Sequence, residues 1–299
     1  MIKREIYYVK KNLGQRVRPT FSFEIFPPKG KVDLDGIFGT IDALASLSPD
    51  FISVTYGAGG SSRDNTVEIA SAIQMKYNIP ALAHLTCVGS KIEDMDQILK
   101  ELKDKGVENI LAMRGDLNDE AILGDFKHAS ELTKYIKENY DFNVLGACYP
   151  NKHIEAYSME EDLKFLKHKV ECGSDALITQ LFFNNDDFYS FCNKARGLGI
   201  DVPIIAGIMP LTSAKQVDRM ISMCGATLPE SVQSFVKAYG HNSLAMKEAG
   251  ITYATGQIID LLAHGVDGIH LYTMNQPDTA KRIMENIRGI LYALKVKRV

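Results

Sequence analysis

Eight short apolar runs rich in β-formers, separated by stretches of helical periodicity, constrain this chain more than any other feature. They are FSFEIF (21–26), FISVTY (51–56), ALAHLTC (81–87), NILAMR (109–114), NVLGACY (143–149), ALITQLFF (176–183), PIIAGIM (203–209) and GIHLYTM (268–274). The first seven begin about thirty residues apart, the length of one strand–helix unit. Segments such as DNTVEIASAIQMKY (64–77), IEDMDQILKELKDK (92–105) and MEEDLKFLKHKVECG (159–173) repeat their apolar residues at helical spacing. The last of them closes on Gly173, a helix C-cap position. Strands alternating with helices predict parallel pairing, each crossover covering one sheet face. Eight such units are what a closed (β/α)8 TIM barrel requires. An open doubly wound sheet also fits the alternation, but it normally opens on a G-x-G-x-x-G turn, and FEIFPPKG has none. The longer gap before the eighth run holds TSAKQVDRMISMCG (212–225), LPESV from 228 and a helical pattern near 244–263. These are expected to be extra helices between strands 7 and 8, on the rim of a single barrel spanning 1–299, with 1–20 as an N-terminal arm.

Charge and cysteine usage narrow the class. Lys plus Arg number 34 against 37 Asp plus Glu, a net charge of −3, which leaves no electrostatic footprint for nucleic acid. No stretch approaches the ~18 continuous apolar residues of a membrane span, and the basic start MIKREIYYVKK lacks the apolar core of a secretory leader. The five cysteines are scattered without a C-x-x-C pair, arguing against a disulfide framework and for a cytoplasmic home. No cluster has metal-ligand spacing and no G-x-S-x-G elbow occurs, so metal hydrolysis and serine-type acyl transfer are disfavoured.

Strands buried on both faces should be almost wholly apolar, yet here polar residues gather near the C-terminal strand ends. They include Glu24, Thr55, His84, Thr86, Arg114 with Asp116, Tyr149, Gln180, and Tyr272 with Asn275. That end of a barrel is where active sites form, and the one-sided concentration points to an enzyme. Glu24 stands out, within FSFEIFPP among phenylalanines. Loss of hydration there favours a protonated carboxyl able to act as a general acid; the structural alternative is an ion pair with a barrel arginine. GAGGSS (57–62) follows a strand and precedes a helix, as either an anion-binding turn or a plain tight turn. Lys152 and His153 are either a phosphate contact or a solvated loop pair.

FEIFPPK, SVTYGAGGSSRD, AHLTC, LAMRGD, ACYPNKH, ITQLFF, PIIAGIMP and LYTMN occur in this order. Together they make residues 20 to 290 resemble the catalytic barrel of the methylenetetrahydrofolate reductases, in the bacterial form without a regulatory domain. The resemblance implies FAD at the C-terminal face, NADH or NADPH as electron donor, a folate substrate, and hydride passing through the flavin in ping-pong fashion. It implies that Glu24 is the general acid and that Asp116 lies near the flavin pyrimidine ring and the substrate. Flavin contacts are implied at Thr55, His84, Met113, Arg114, Gly115, Ala147, Tyr149, His153, Asp162 and Lys169. Gln180 is implied to contact folate and nicotinamide in turn, and Gln276 takes a substrate-facing position where relatives usually have Arg. Ala214 and Phe165 also depart from the family pattern. The family further implies homo-oligomers, and some members take electrons from a partner protein. Two alternatives are another flavin-dependent barrel oxidoreductase and a flavin-free, folate-binding methyltransferase-type barrel.

Overall fold

Each parallel strand sends alternate side chains to opposite faces, and that alternation sorts the apolar runs into two packing layers. The computed structural model describes residues 18–28, 35–56, 60–116, 124–224 and 227–296. Its first half runs β1 (Thr20–Ile25), α1 (Asp35–Ala45), β2 (Phe51–Val54), α2 (Gly60–Lys76), β3 (Ala81–Thr86), α3 (Ile92–Asp104), β4 (Asn109–Met113) and α4 (Ala129–Asn139). Then follow β5 (Asn143–Cys148), α5 (Met159–Glu171), β6 (Ala176–Thr179), α6 (Asn185–Gly197) and β7 (Ile204–Ile208). Three helices, α7 (Ala214–Cys224), α8 (Glu230–Tyr239) and α9 (Ser243–Ala263), precede β8 (Gly268–Tyr272) and α10 (Pro277–Val296). All neighbouring strands pair in parallel and β8 returns to β1, closing an eight-stranded barrel. The architecture is the (β/α)8 barrel expected from the spacing, and the long gap before β8 does hold the extra helices.

Phe21, Phe23 and Ile25 of β1 point outward and join a large core with the helices, together with Ile52, Ala83, Ile110, Val144, Leu177 and Ile269. Inside the barrel, Phe51, Leu82, Leu111, Leu145, Ile178 and Ile205 form an apolar plug. A third cluster, with Leu181, Phe183, Met209, Leu211, Val217, Val232 and Met246, sits under the inserted helices. The helices follow their patterns: α3 buries Met95, Ile98, Leu99 and Leu102, the i, i+3, i+4, i+7 stripe of an amphipathic helix. α5 starts on Ser158, whose hydroxyl accepts the Glu161 N–H at 3.2 Å, and its C-cap is Cys172. Gly173 lies just beyond, at φ +117°, where an L side chain is strained.

The sixth strand is shorter than its apolar run. It stops at Thr179, and the Leu181 N–H bonds the Gln180 side-chain carbonyl at 2.9 Å. That local closure takes the donor out of the ladder, and residues 181–183 turn toward α9, where Gln257 donates to the Phe182 carbonyl at 3.4 Å. The seam between β8 and β1 is extended by a side chain: Asn275 accepts the Phe26 N–H at 2.9 Å and donates to the Phe26 carbonyl at 2.8 Å. Among the described residues no helix is long and apolar enough to cross a membrane. The N-terminal arm up to residue 17 and residues 57–59 of the GAGGSS run lie outside the described residues.

Candidate active site

The barrel interior is polar around the seam of β8, β1 and β2. Ser22 lies opposite Phe51 and His270 in the register, and Glu24 opposite Ser53 and Tyr272. Because Phe23 and Ile25 face outward, Glu24 does not sit among phenylalanines; its inward carboxylate meets two imidazoles. Glu24 Oε2 lies 3.6 Å from both His84 Nε2 and His270 Nε2. Histidines therefore stand where an arginine was the alternative. Burial holds the His84 imidazole down to about 4 although the Glu24 carboxylate opposes this, and its Nε2 has no hydrogen-bond partner. Tyr272 leans across β7 and donates to the Thr179 carbonyl at 2.6 Å. A Cβ on Gly207 would fall 2.3 Å from that carbonyl and 2.7 Å from the tyrosine ring. Gly207→Ala is therefore expected to cost about 1–3 kcal/mol, the usual penalty of overpacking; an unchanged urea midpoint would contradict this close approach.

Above β3 to β6, at the C-terminal face, opens a cavity of about 1310 Å³. Met113, Arg114, Gly115 and Asp116 line it from the end of β4, Ala147, Tyr149 and His153 from the end of β5, Asp162 and Lys169 from α5, and Gln180 from the end of β6. The structure thus gathers most of the residues singled out from the sequence on one wall. His84 and Glu24 lie deeper, linked to the cavity through β3, whose next inward residue, Thr86, is on the wall. Thr55 and Gln276 are not among the lining residues. The Thr55 N–H bonds the Ile25 carbonyl at 3.1 Å and its own carbonyl accepts from Thr66. The Gln276 side chain turns to the Thr279 hydroxyl at the start of α10. Lys152 folds back onto the carbonyls of its own loop, His153 and Ala156, so it serves the loop and not the cavity.

The wall satisfies its own charges. Lys169 donates to the Ala147 carbonyl at 2.7 Å, and burial lowers the ammonium's proton affinity against the pull of Cys148 and Asp162. Asp162 accepts the His153 N–H at 2.8 Å, and burial nonetheless pushes its carboxyl up. The His153 Nδ1 accepts from the Glu155 N–H at 3.1 Å, so in the neutral ring Nε2 carries the proton. Burial also pushes His153 down and keeps the Tyr149 phenol protonated. Arg114 makes a two-pronged bond to Glu155 at 2.6 and 2.7 Å, which holds Glu155 below the usual carboxylate range. Among the described residues no three His, Cys, Asp or Glu converge as a metal cage.

Sequence reasoning missed His128, Ser130 and Glu131 at the start of α4 and Glu161 and His168 on α5, all of which line the cavity. A signal was present on α5: Glu161, Phe165 and His168 fall at i, i+4, i+7, the stripe that one helix face presents. Glu131 accepts the Lys127 N–H at 2.6 Å, and Glu161 accepts the Tyr157 N–H at 2.8 Å, so both carboxylates close helix starts. The α4 start carries no apolar periodicity that would have marked it as a cavity wall.

Comparison with known proteins fits this arrangement. A family model described as methylenetetrahydrofolate reductase matches residues 10–288. The chain is 36% identical over 304 residues to methylenetetrahydrofolate reductase (NADH) 1 of Arabidopsis thaliana, covering 96% of this chain and 51% of that protein. It thus spans about half the length of the plant relatives. It is 33% identical over 266 residues to 5,10-methylenetetrahydrofolate reductase of Escherichia coli, covering 89% of this chain and 90% of that enzyme. A Clostridium thermocellum protein that binds two copies of 5-methyl-5,6,7,8-tetrahydrofolic acid shares the fold, with a TM-score of 0.65 at 14% identity over 93% of this chain and 96% of that one. With the family model matched over most of its length and the bacterial relative covered almost end to end, the chain belongs to the methylenetetrahydrofolate reductase family.

Proposed function

We propose that this chain reduces 5,10-methylenetetrahydrofolate to 5-methyltetrahydrofolate, with FAD as bound carrier and NADH or NADPH as electron donor. The carrying observation is the gathering of Met113 to Asp116, Ala147, Tyr149, His153, Asp162, Lys169 and Gln180 around one cavity next to a buried carboxyl. The names of the bacterial relatives support the substrate, and "(NADH)" in the names of the plant relatives favours NADH. A cavity of about 1310 Å³ exceeds the ~300–1,000 Å³ of ordinary small-ligand pockets, and so suits a dinucleotide with a second ligand beside it. Arg114 and Lys169 line the same wall as the start of α4, and a pyrophosphate there would share Arg114 with Glu155 and Lys169 with the Ala147 carbonyl.

When bound, the flavin supplies a two-electron carrier between the nicotinamide and the folate. Glu24 gives a proton to the folate N10 as its bond to the methylene carbon breaks. Asp116, exposed at the cavity mouth, contributes negative charge that stabilises the resulting iminium cation. The Gln180 carbonyl is fixed by the Leu181 N–H, and its NH2 makes no hydrogen bond among the described residues, leaving a donor for the ligand. His84 faces the Glu24 carboxylate from β3 below the cavity, whereas Thr55 and Gln276 stand outside its lining.

The absorbance spectrum tests this reading. Protein supplied with FAD is expected to show flavin bands that NADH bleaches without oxygen and methylenetetrahydrofolate restores. Absence of bands after FAD addition would overturn the assignment; bleaching without restoration would leave a flavin barrel acting on another substrate.

A further inference from the structure

The side chain that faces Glu24 from the far end of the chain has a fixed hydrogen-bond pattern. His270 is fully buried on β8, stacked on Phe51 at 5.6 Å between ring centres and met edge-on by Tyr272 at 5.5 Å. Its Nδ1 lies 2.7 Å from Ser22 Oγ, and that hydroxyl donates its one hydrogen to the Ile269 carbonyl at 3.2 Å. With that bond made, Ser22 accepts from the ring and Nδ1 carries the hydrogen. In a neutral ring Nε2 is consequently a bare lone pair, and it faces Ser53 Oγ at 3.1 Å and Glu24 Oε2 at 3.6 Å.

The Ser53 hydroxyl can donate to that lone pair, but the nitrogen and the Glu24 carboxylate, 3.6 Å apart, still face each other as acceptors, and a proton held by either one relieves their repulsion. We propose that His270 is the positioning residue for the acid: Glu24 and His270 hold one proton in common, bound to the carboxyl or to Nε2. Two protons would create a buried cation and none a buried anion, and both states lose hydration without compensation. One proton keeps the pair neutral. The ionisable groups facing this carboxylate are His84 from β3 and His270 from β8, with the Ser53 hydroxyl from β2. His84, held down by burial, stays neutral and does not compete. The proposal rests on Glu24 being the donor to N10. Each turnover removes one proton from the pair as the bond from N10 to the methylene carbon breaks, and the pair regains it from water.

Imidazole-¹⁵N NMR on the whole protein tests the shared proton without flavin or folate. The chain has seven histidines, and His270→Gln identifies the relevant signal by its loss. His270 is expected to keep its Nδ1–H throughout the pH range of the folded state, and Glu24→Gln is expected to shift its Nε2 resonance toward that of a neutral ring. An Nε2–H ring with bare Nδ1, or an Nε2 resonance indifferent to Glu24→Gln, would overturn the proposal. Stopped-flow rates of His270→Gln supply a functional readout. With one of the two proton positions removed, folate reduction should fall off at lower pH than in the parent, while flavin reduction by NADH keeps its profile. A folate step with unchanged pH dependence would also overturn it. Because the NMR outcome needs no cofactor, a protein that binds no flavin would defeat the proposed function and leave the proton pair separately decided.

Discussion

Glu24→Gln is expected to slow reduction of methylenetetrahydrofolate by roughly 10²–10⁴-fold, the contribution of a positioned general acid, while NADH reduces the flavin at nearly the parent rate. Glutamine has the shape of glutamate and fits between His84 and His270, each 3.6 Å from the carboxylate. Its amide can donate a hydrogen bond to an imidazole nitrogen, but it has no proton to give to N10. Anaerobic stopped-flow separates the two half-reactions by following flavin absorbance with each substrate in turn. If both half-reactions survived equally, the proton would have to come from elsewhere, with Glu24 reduced to a structural carboxylate.

The second large effect concerns stability in acid. His84 is held to about 4 in the folded protein by burial, against about 6.5 in an unfolded chain. A depressed imidazole means that the unfolded state binds the extra proton first. Its stabilising contribution is therefore complete above pH about 6.5 and is lost as pH falls toward 4, by an amount on the order of 3 kcal/mol. His84→Gln cannot take up that proton, so its urea midpoint should decline less steeply over this interval than the parent's. Parallel declines would mean that His84 has an ordinary imidazole environment in the folded state. The comparison cancels the carboxylates common to both proteins, which lose their own stabilisation over part of the same range.

The barrel was legible because its strands differ so sharply from its helices: seven runs at nearly even spacing, each followed by an amphipathic stretch, admit few other folds. The strand ends were less legible. The apolar run of the sixth strand continues past Gln180 to Phe183, and only the Gln180 side-chain bond to the Leu181 N–H shows why the ladder stops at Thr179. The cavity wall was legible where a residue's position in the chain determines its direction, as for Gln180 at the end of β6 and for the Met113–Asp116 run at the end of β4. It was not legible where strands far apart in sequence meet. Nothing around FSFEIFPP reveals that Glu24 faces His270, because Phe23 and Ile25, its neighbours in the chain, belong to the other face of the strand. His128 and Glu131 were missed for a similar reason, since they reach the cavity from a helix start whose sequence is written for capping.

The seam that joins β8 to β1 also sets when this acid can exist. Glu24 leaves the ribosome with the first strand, while His270 and the Asn275 clasp on Phe26 come from the last. About 250 residues must be synthesised before the carboxyl acquires its partner, and closing a loop of that length is among the later events of folding. A nascent chain lacking β8 carries the cavity-lining residues up to Gln180, yet its Glu24 has no His270 to face. The pairing of carboxylate and imidazole is thus tied to the strand that closes the barrel.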